Sequence, residues 1–136
     1  MTDLAALTPA QCRRLLGERG IGRAVYTEHA LPAVATMNYA VVGERLWFRT
    51  AQGTALERAV DDAVIAFNAD SVDAARRSGW SVTVSGRCRR VTGPEPEAVR
   101  TALDTWAPGV REVLFALDLA HVTGRRIGPP ELASAS

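Results

Sequence analysis

The sequence predicts a mainly β fold, a small antiparallel barrel with two to three short helices packed on its outside. Three observations lead there. Residues 79–91 alternate with a period of two, Val82, Val84 and Cys88 against Ser81, Thr83, Ser85, Arg87 and Arg89, the pattern of a strand buried on one face. Candidate strands are joined mostly by hairpin-scale connections such as Gly43-Glu44. No regular strand–helix–strand alternation occurs, which argues against a doubly wound parallel sheet.

Taken in chain order, Thr8-Pro9-Ala10-Gln11 has the form of a capping box with proline at the first helical position. Leu15 and Leu16 supply the apolar side of that short helix, and Gly17 and Gly20 end it. A strand is expected over 21–28, broken at His29-Ala30-Leu31. A longer strand over 32–42 should turn at Gly43-Glu44 and return over 45–50, with Leu46 and Phe48 on one face and Arg45, Trp47 and Arg49 on the other. One or two helical turns are expected over 54–60, and a strong strand over 63–69. Residues 70–78 are polar and are expected to form a mobile loop. Gly86 marks a bend in the strand over 79–91. Pro94-Glu95-Pro96-Glu97 opens a further helix, with acids where they favour the helix dipole and Val99, Leu103 and Trp106 on one face. A last strand is expected over 112–122, and the tail after Pro129 is expected to fray.

Composition narrows the function classes. The chain has 136 residues, 47% apolar and 23% charged, values of an ordinary globular chain of one domain, here taken as 1–136. Net charge is +1, so no electrostatic funnel for nucleic acid is expected. All 16 basic residues are arginine. Lysine Schiff-base chemistry and a P-loop are therefore excluded, and a side-chain anion site must use arginine or hydroxyls. Arginine and alanine usage suggests a GC-rich bacterial genome. Cys12 and Cys88 have no C-x-x-C spacing, and His29 and His121 are not at metal-ligand spacing, so no metal site is expected. His29 is expected in a solvated turn; His121 is either a structural histidine or a base or ligand. No basic leader and no apolar run of about 18 residues occurs, so a cytoplasmic protein without membrane contact is expected. No nucleophile elbow occurs, and Gly17–Gly22 departs from the dinucleotide-binding spacing.

A set of segments in order carries a more specific signal: Ile21-Gly22-Arg23-Ala24, then Met37-Asn38-Tyr39-Ala40, Phe48-Arg49-Thr50 with Gly53-Thr54, Gly79-Trp80-Ser81-Val82 running to Gly86-Arg87, Trp106-Ala107-Pro108-Gly109, and Val122-Thr123-Gly124-Arg125-Arg126-Ile127. Over residues 12–127 the chain resembles the pyridoxamine 5′-phosphate oxidase-like family of flavin-binding split barrels, in its short bacterial branch. The resemblance implies a six-stranded antiparallel split β-barrel of Greek-key type, a homodimer with cofactor clefts at the subunit interface, and hydride transfer between FMN and a small-molecule substrate. It implies that the flavin ring lies along Thr36, Met37, Asn38 and Tyr39, that Phe48, Arg49, Thr50, Thr54 and Ala55 surround the phosphate end, and that Trp80 and Trp106 help wall the cleft. Plain core or dimer packing is the other reading of both tryptophans, and a solvated strand position that of Arg49. No catalytic proton-transfer residue can be named. The three tryptophans, Trp47, Trp80 and Trp106, are more indole than one small barrel readily hides, which also favours a dimer.

The chain departs from the family pattern in three places. Thr36-Met37 stands where Pro-Val is common, and Asn68-Ala69 where Glu-Val is common. Ala55 stands where the family often has lysine after Gly-Thr; Arg58, one turn on, is the candidate replacement. The departure at Ala55 keeps two alternatives open, a reductase of the same fold that uses the deazaflavin coenzyme F-420, and a non-catalytic flavin- or ligand-binding dimer. True pyridoxamine phosphate oxidase activity is not expected.

Overall fold

The capping box at Thr8 forms as predicted. In the computed structural model, which describes residues 3–103 and 111–128, helix α1 spans Pro9–Gly17. The Gln11 N–H donates to the Thr8 hydroxyl at 3.2 Å, and the Thr8 N–H donates to the Gln11 side chain at 2.8 Å. Two donors at the helix start are thereby satisfied. The strands are β1 (Asp3–Ala6), β2 (Ile21–Glu28), β3 (Leu31–Asn38), β4 (Ala40–Val42), β5 (Arg45–Ala51), β6 (Val64–Asp73), β7 (Ser78–Arg87), β8 (Arg89–Arg90), β9 (Glu112–Asp118) and β10 (Val122–Gly128). Helices α2 (Ala55–Val60) and α3 (Glu97–Ala102) complete the described elements. Six strands form one sheet in the order β1-β10-β7-β6-β2-β3, and four form a second in the order β4-β5-β9-β8. Every pairing is antiparallel.

The two sheets enclose one core. Leu46 and Phe48 of β5, Ile65 and Phe67 of β6, Val82 and Val84 of β7, and Phe115 and Leu117 of β9 meet there with Leu15 and Leu16 of α1. The Phe48 ring lies 5.7 Å from both Phe67 and Phe115. Burying side chains of this size contributes roughly 1.5–3 kcal/mol each. The back of the four-stranded sheet carries a second cluster, in which Trp47, Leu114 and Ala116 lie under Val99 of α3 and Leu103. The two-faced pattern of β5 is thus real, but both faces are covered. Gly22 is required where β2 crosses β6: a Cβ there would stand 2.6 Å from the Phe67 ring and 2.7 Å from the Asn68 carbonyl.

Several predicted strands are two strands. The run over 32–42 breaks at Tyr39, whose side chain turns inward and whose hydroxyl donates to the Leu16 carbonyl at 2.5 Å. Leu31–Asn38 therefore pairs back onto β2, and only Ala40–Val42 forms the hairpin with β5. The run over 79–91 breaks at Cys88 rather than at Gly86, and passes there from one sheet to the other. The run over 112–122 ends at Asp118, and a separate strand, β10, begins at Val122.

Residues 70–78 are not a mobile loop. The β6–β7 ladder continues through Asp73 paired with Ser78, and the turn is confined to residues 74–77. The segment is polar because most of its side chains face solvent, not because the backbone is unpaired. Strand β1 has no periodic signal, since four residues on a sheet border are held by backbone pairing to β10. Helix α3 begins at Glu97, later than the Pro94–Glu97 acids suggest, because Pro96 stands at the N-cap and disfavours helical backbone at Glu95. Trp106, expected on its apolar face, lies outside the described residues, as do residues 129–136 of the expected tail.

Candidate functional site

Strand β3 ends its sheet, and among the described residues no strand pairs along its outer side. The Tyr39 N–H donates inward to the Gly20 carbonyl at 3.0 Å. In an antiparallel ladder the sense of the backbone groups alternates, so Met37, Ala35 and Ala33 share that inward sense and Thr36 and Asn38 turn their N–H and C=O groups outward. Pro32 occupies a position of the outward set, where a missing N–H breaks no ladder bond. The result is an open row of donors and acceptors at Thr36 and Asn38.

A cavity lies at each end of β3. At the Asn38 end, an open cleft of about 420 Å³ is lined by Glu18, Arg19 and Gly20 of the α1–β2 turn, Ile21, Asn38, Tyr39 and Ala102. At the hairpin end, about 210 Å³ is lined by Thr27, Glu28 and His29 together with Ala55, Arg58 and Ala59 of α2. Ala55 and Arg58 thus share one wall, and the Arg58 guanidinium donates to the Gly53 carbonyl at 3.1 Å. Glu18, Arg19 and His29 were not singled out as site residues by the sequence; they are turn residues without periodic signal.

The residues expected at the site divide by side-chain environment. Thr36 is exposed, and Met37 and Asn38 are half-buried. Tyr39 is buried, and desolvation pushes its phenol well above the usual tyrosine range; the residue also lines the cavity at the Asn38 end. Phe48 and Trp80 belong to the core cluster. Thr50 is buried with its hydroxyl unpartnered. The Thr54 hydroxyl accepts from the Glu57 N–H at 3.2 Å and donates to the Ala51 carbonyl at 2.8 Å, and so caps α2. Trp106 lies outside the described residues. Trp47 and Trp80 are 7% and 8% exposed, so a single chain hides both of these two.

Arg49 is engaged. Its two terminal nitrogens donate to the Glu95 carboxylate at 2.5 and 2.8 Å, with side-chain exposures of 13% and 29%. The hydrogen bond raises the arginine above its ordinary value and holds the Glu95 carboxyl below the usual range. An anion approaching Arg49 must compete with this fork.

Asn68 has a clear local role. Its amide oxygen accepts from Arg23 at 3.2 Å, and its amide nitrogen faces Ser81 Oγ at 2.9 Å and Val82 O and Thr83 Oγ1 at 3.1 Å. A glutamate could accept from Arg23 but has no hydrogens to donate to these three oxygens.

The sequence model of the pyridoxamine 5′-phosphate oxidase family matches residues 8–126. The chain belongs to that family. An uncharacterized protein of Mycobacterium tuberculosis is 36% identical over 131 residues, covering 92% of this chain and 86% of its own. Among solved structures of similar fold, an FAD-binding protein from Mycobacterium smegmatis is 28% identical, with a TM-score of 0.72 over 91% of this chain and 98% of its own. A second, an FAD-binding protein from Mesorhizobium loti, has a TM-score of 0.75 at 20% identity over 95% and 100%. The split-barrel architecture expected from the sequence is the fold of this family member, and among the described residues no helix is long and apolar enough to cross a membrane.

Proposed function

We propose that this chain binds a flavin along the open edge of β3 and, as a homodimer, serves in passing a hydride between FMN and a small molecule. The observation that carries this reading is the outward row at Thr36 and Asn38 with a cavity at each end. A flavin ring presents alternating donors and acceptors on its polar edge, which a free strand edge can match with backbone groups alone. When bound, the flavin supplies the redox chemistry, and the chain binds and orients it. Thr36 and Asn38 hold the ring edge, while Arg58, which lines one wall with Ala55, is the cation for the expected phosphate end.

The dimer is supported by the outer face of the six-stranded sheet. Ile21, Val25, Val34 and Val64 are apolar and exposed there, with Ile21 and Val34 at 52% and 62%. A second copy seated on this face would bury them and close the β3 edge from solvent.

One observation favours a second reading, a flavin-binding dimer without catalysis: Ala55 supplies no cation and Arg49 is already held by Glu95. The absorption spectrum of the purified protein, followed by extraction and chromatography against FMN, FAD, riboflavin and the deazaflavin F-420, tests the main reading. Colourless protein that FMN does not titrate would overturn it. A copurifying FAD, as the name of the M. smegmatis protein suggests, or a deazaflavin would revise the cofactor alone. Bound flavin that no hydride donor reduces in stopped flow would leave the non-catalytic reading.

A further inference from the structure

The corner where the chain leaves one sheet for the other gathers arginines that the proposed flavin site does not use. Strand β7 ends at Arg87. Cys88 turns inward, its N–H donating to the Ala63 carbonyl at 2.7 Å, and β8 carries Arg89 and Arg90 along the edge of the second sheet. A continuous strand would send Arg89 and Arg90 to opposite faces. Within β8 the two still alternate, Arg89 opposite Ala116 and Arg90 opposite Phe115, and Arg87, Arg89 and Arg90 together line one cavity of about 240 Å³, joined by Arg45 and Asp118 of β5 and β9, with Val91, Thr92 and Ala116.

Three of these guanidiniums are held in place. Arg45 donates through Nε to Asp118 at 3.1 Å. Arg87 donates to the Asp62 carbonyl at 2.6 Å and lies 3.5 Å from its carboxylate. Arg90 reaches Glu57 at 3.1 Å and Asp61 at 3.4 Å, with its guanidinium carbon 5.8 Å from the centre of the Phe115 ring. Arg45 likewise lies 5.9 Å from the Trp47 ring centre. Each tether uses only part of a five-donor fork. Asp118 is the one carboxylate in the described wall; Glu57, Asp61 and Asp62 hold their arginines from outside it. Arg89 makes no ion pair among the described residues.

We propose that this cleft is a binding site for a small anion carrying linked phosphoryl groups. Partly tethered guanidiniums lose little freedom on binding, and their forks match phosphate oxygens two at a time. The cavity has room for roughly eight waters at ~30 Å³ each, more than a lone orthophosphate fills. A chain of net charge +1 with four of its 16 arginines lining one pocket suits a compact anion rather than a nucleic acid strand.

Inorganic pyrophosphate is the probe, titrated calorimetrically at low salt into wild type, Arg89→Ala and Arg125→Ala. Arg89 is exposed and unpaired, so its removal should not disturb folding, which equal thermal midpoints would verify. Arg125, exposed on β10 and lining a different cavity, is the control for general surface charge. The expected result is saturable binding that weakens with salt, falls about tenfold or more in Arg89→Ala and is unchanged in Arg125→Ala. Titration of flavin-saturated protein should give the same affinity. Absence of binding to wild type at millimolar pyrophosphate, equal losses in the two variants, no loss in Arg89→Ala, or competition with flavin would each overturn the proposal.

Discussion

Arg49 and Glu95 tie β5 to the segment before α3 through a fork shielded from water on most sides. Because the folded-state pKa of Glu95 is depressed, the pair contributes its full stability above the ordinary carboxylate value near 4.5 and loses it as pH falls through the lower, folded value. Glu95→Gln should therefore destabilise the protein at neutral pH by about 1–3 kcal/mol. It should also flatten the acid limb of stability; urea midpoints at neutral and acid pH measure both effects, and an unchanged acid limb would show that Glu95 does not carry it. Ala55 leads to a second expectation at this scale. A lysine there would enter the wall shared with Arg58, so Ala55→Lys should tighten FMN about tenfold at low salt, or ~1.4 kcal/mol. The gain should shrink as salt rises, and riboflavin, lacking the phosphate, should gain almost nothing. Unchanged FMN affinity in parallel titrations would mean that Arg58 already serves the phosphate or that the anion lies elsewhere. The buried thiol of Cys88, pushed up to about 12 by desolvation, packs into the core at the corner.

At the scale of elements, β3 is two-sided, with one edge paired to β2 and the other open. Neighbouring proline substitutions separate the two edges. Thr36→Pro removes an outward N–H and leaves the ladder bonds intact, so it should weaken flavin about five- to tenfold with a modest loss of thermal midpoint. Met37→Pro removes an inward N–H and should destabilise the β2–β3 hairpin by about 3 kcal/mol or more. Flavin titration and thermal melts of the two variants check the contrast, and equal flavin losses without a difference in stability would contradict the assigned ladder sense. The elements legible in advance were those with local chemistry, namely the capping box at Thr8, the alternation of β7, the Gly43-Glu44 hairpin and the helical turns over 54–60. The chain's changes of sheet at Tyr39 and Cys88 were not legible. Both residues are apolar or amphipathic within apolar runs, and nothing local says that the backbone turns there to bury them.

The whole molecule leaves one sheet face with apolar side chains in water. Val34→Glu on that face should do little to the stability of an isolated chain, because Val34 is exposed. If a second copy covers it, the substitution buries a charge at the interface and should yield a monomer. Light scattering at micromolar concentration distinguishes the outcomes: a wild-type monomer would sink the dimer, and a variant that stays dimeric would place the interface elsewhere. The sequence by itself determined the β class, the helix start at Thr8 and the family, and put forward segments 36–39 and 48–55 as the expected site, because period, capping chemistry and ordered local motifs are properties of neighbours along the chain. Only the tertiary structure decided which side chains of those segments remain available. Tyr39, Phe48 and Trp80 close the core, Arg49 is taken by a carboxylate 46 positions away, and the arginines of β5, β7 and β8 meet at one corner. Pairing partners across a sheet are set by packing and register between distant segments, which the spacing of residues along one strand does not encode.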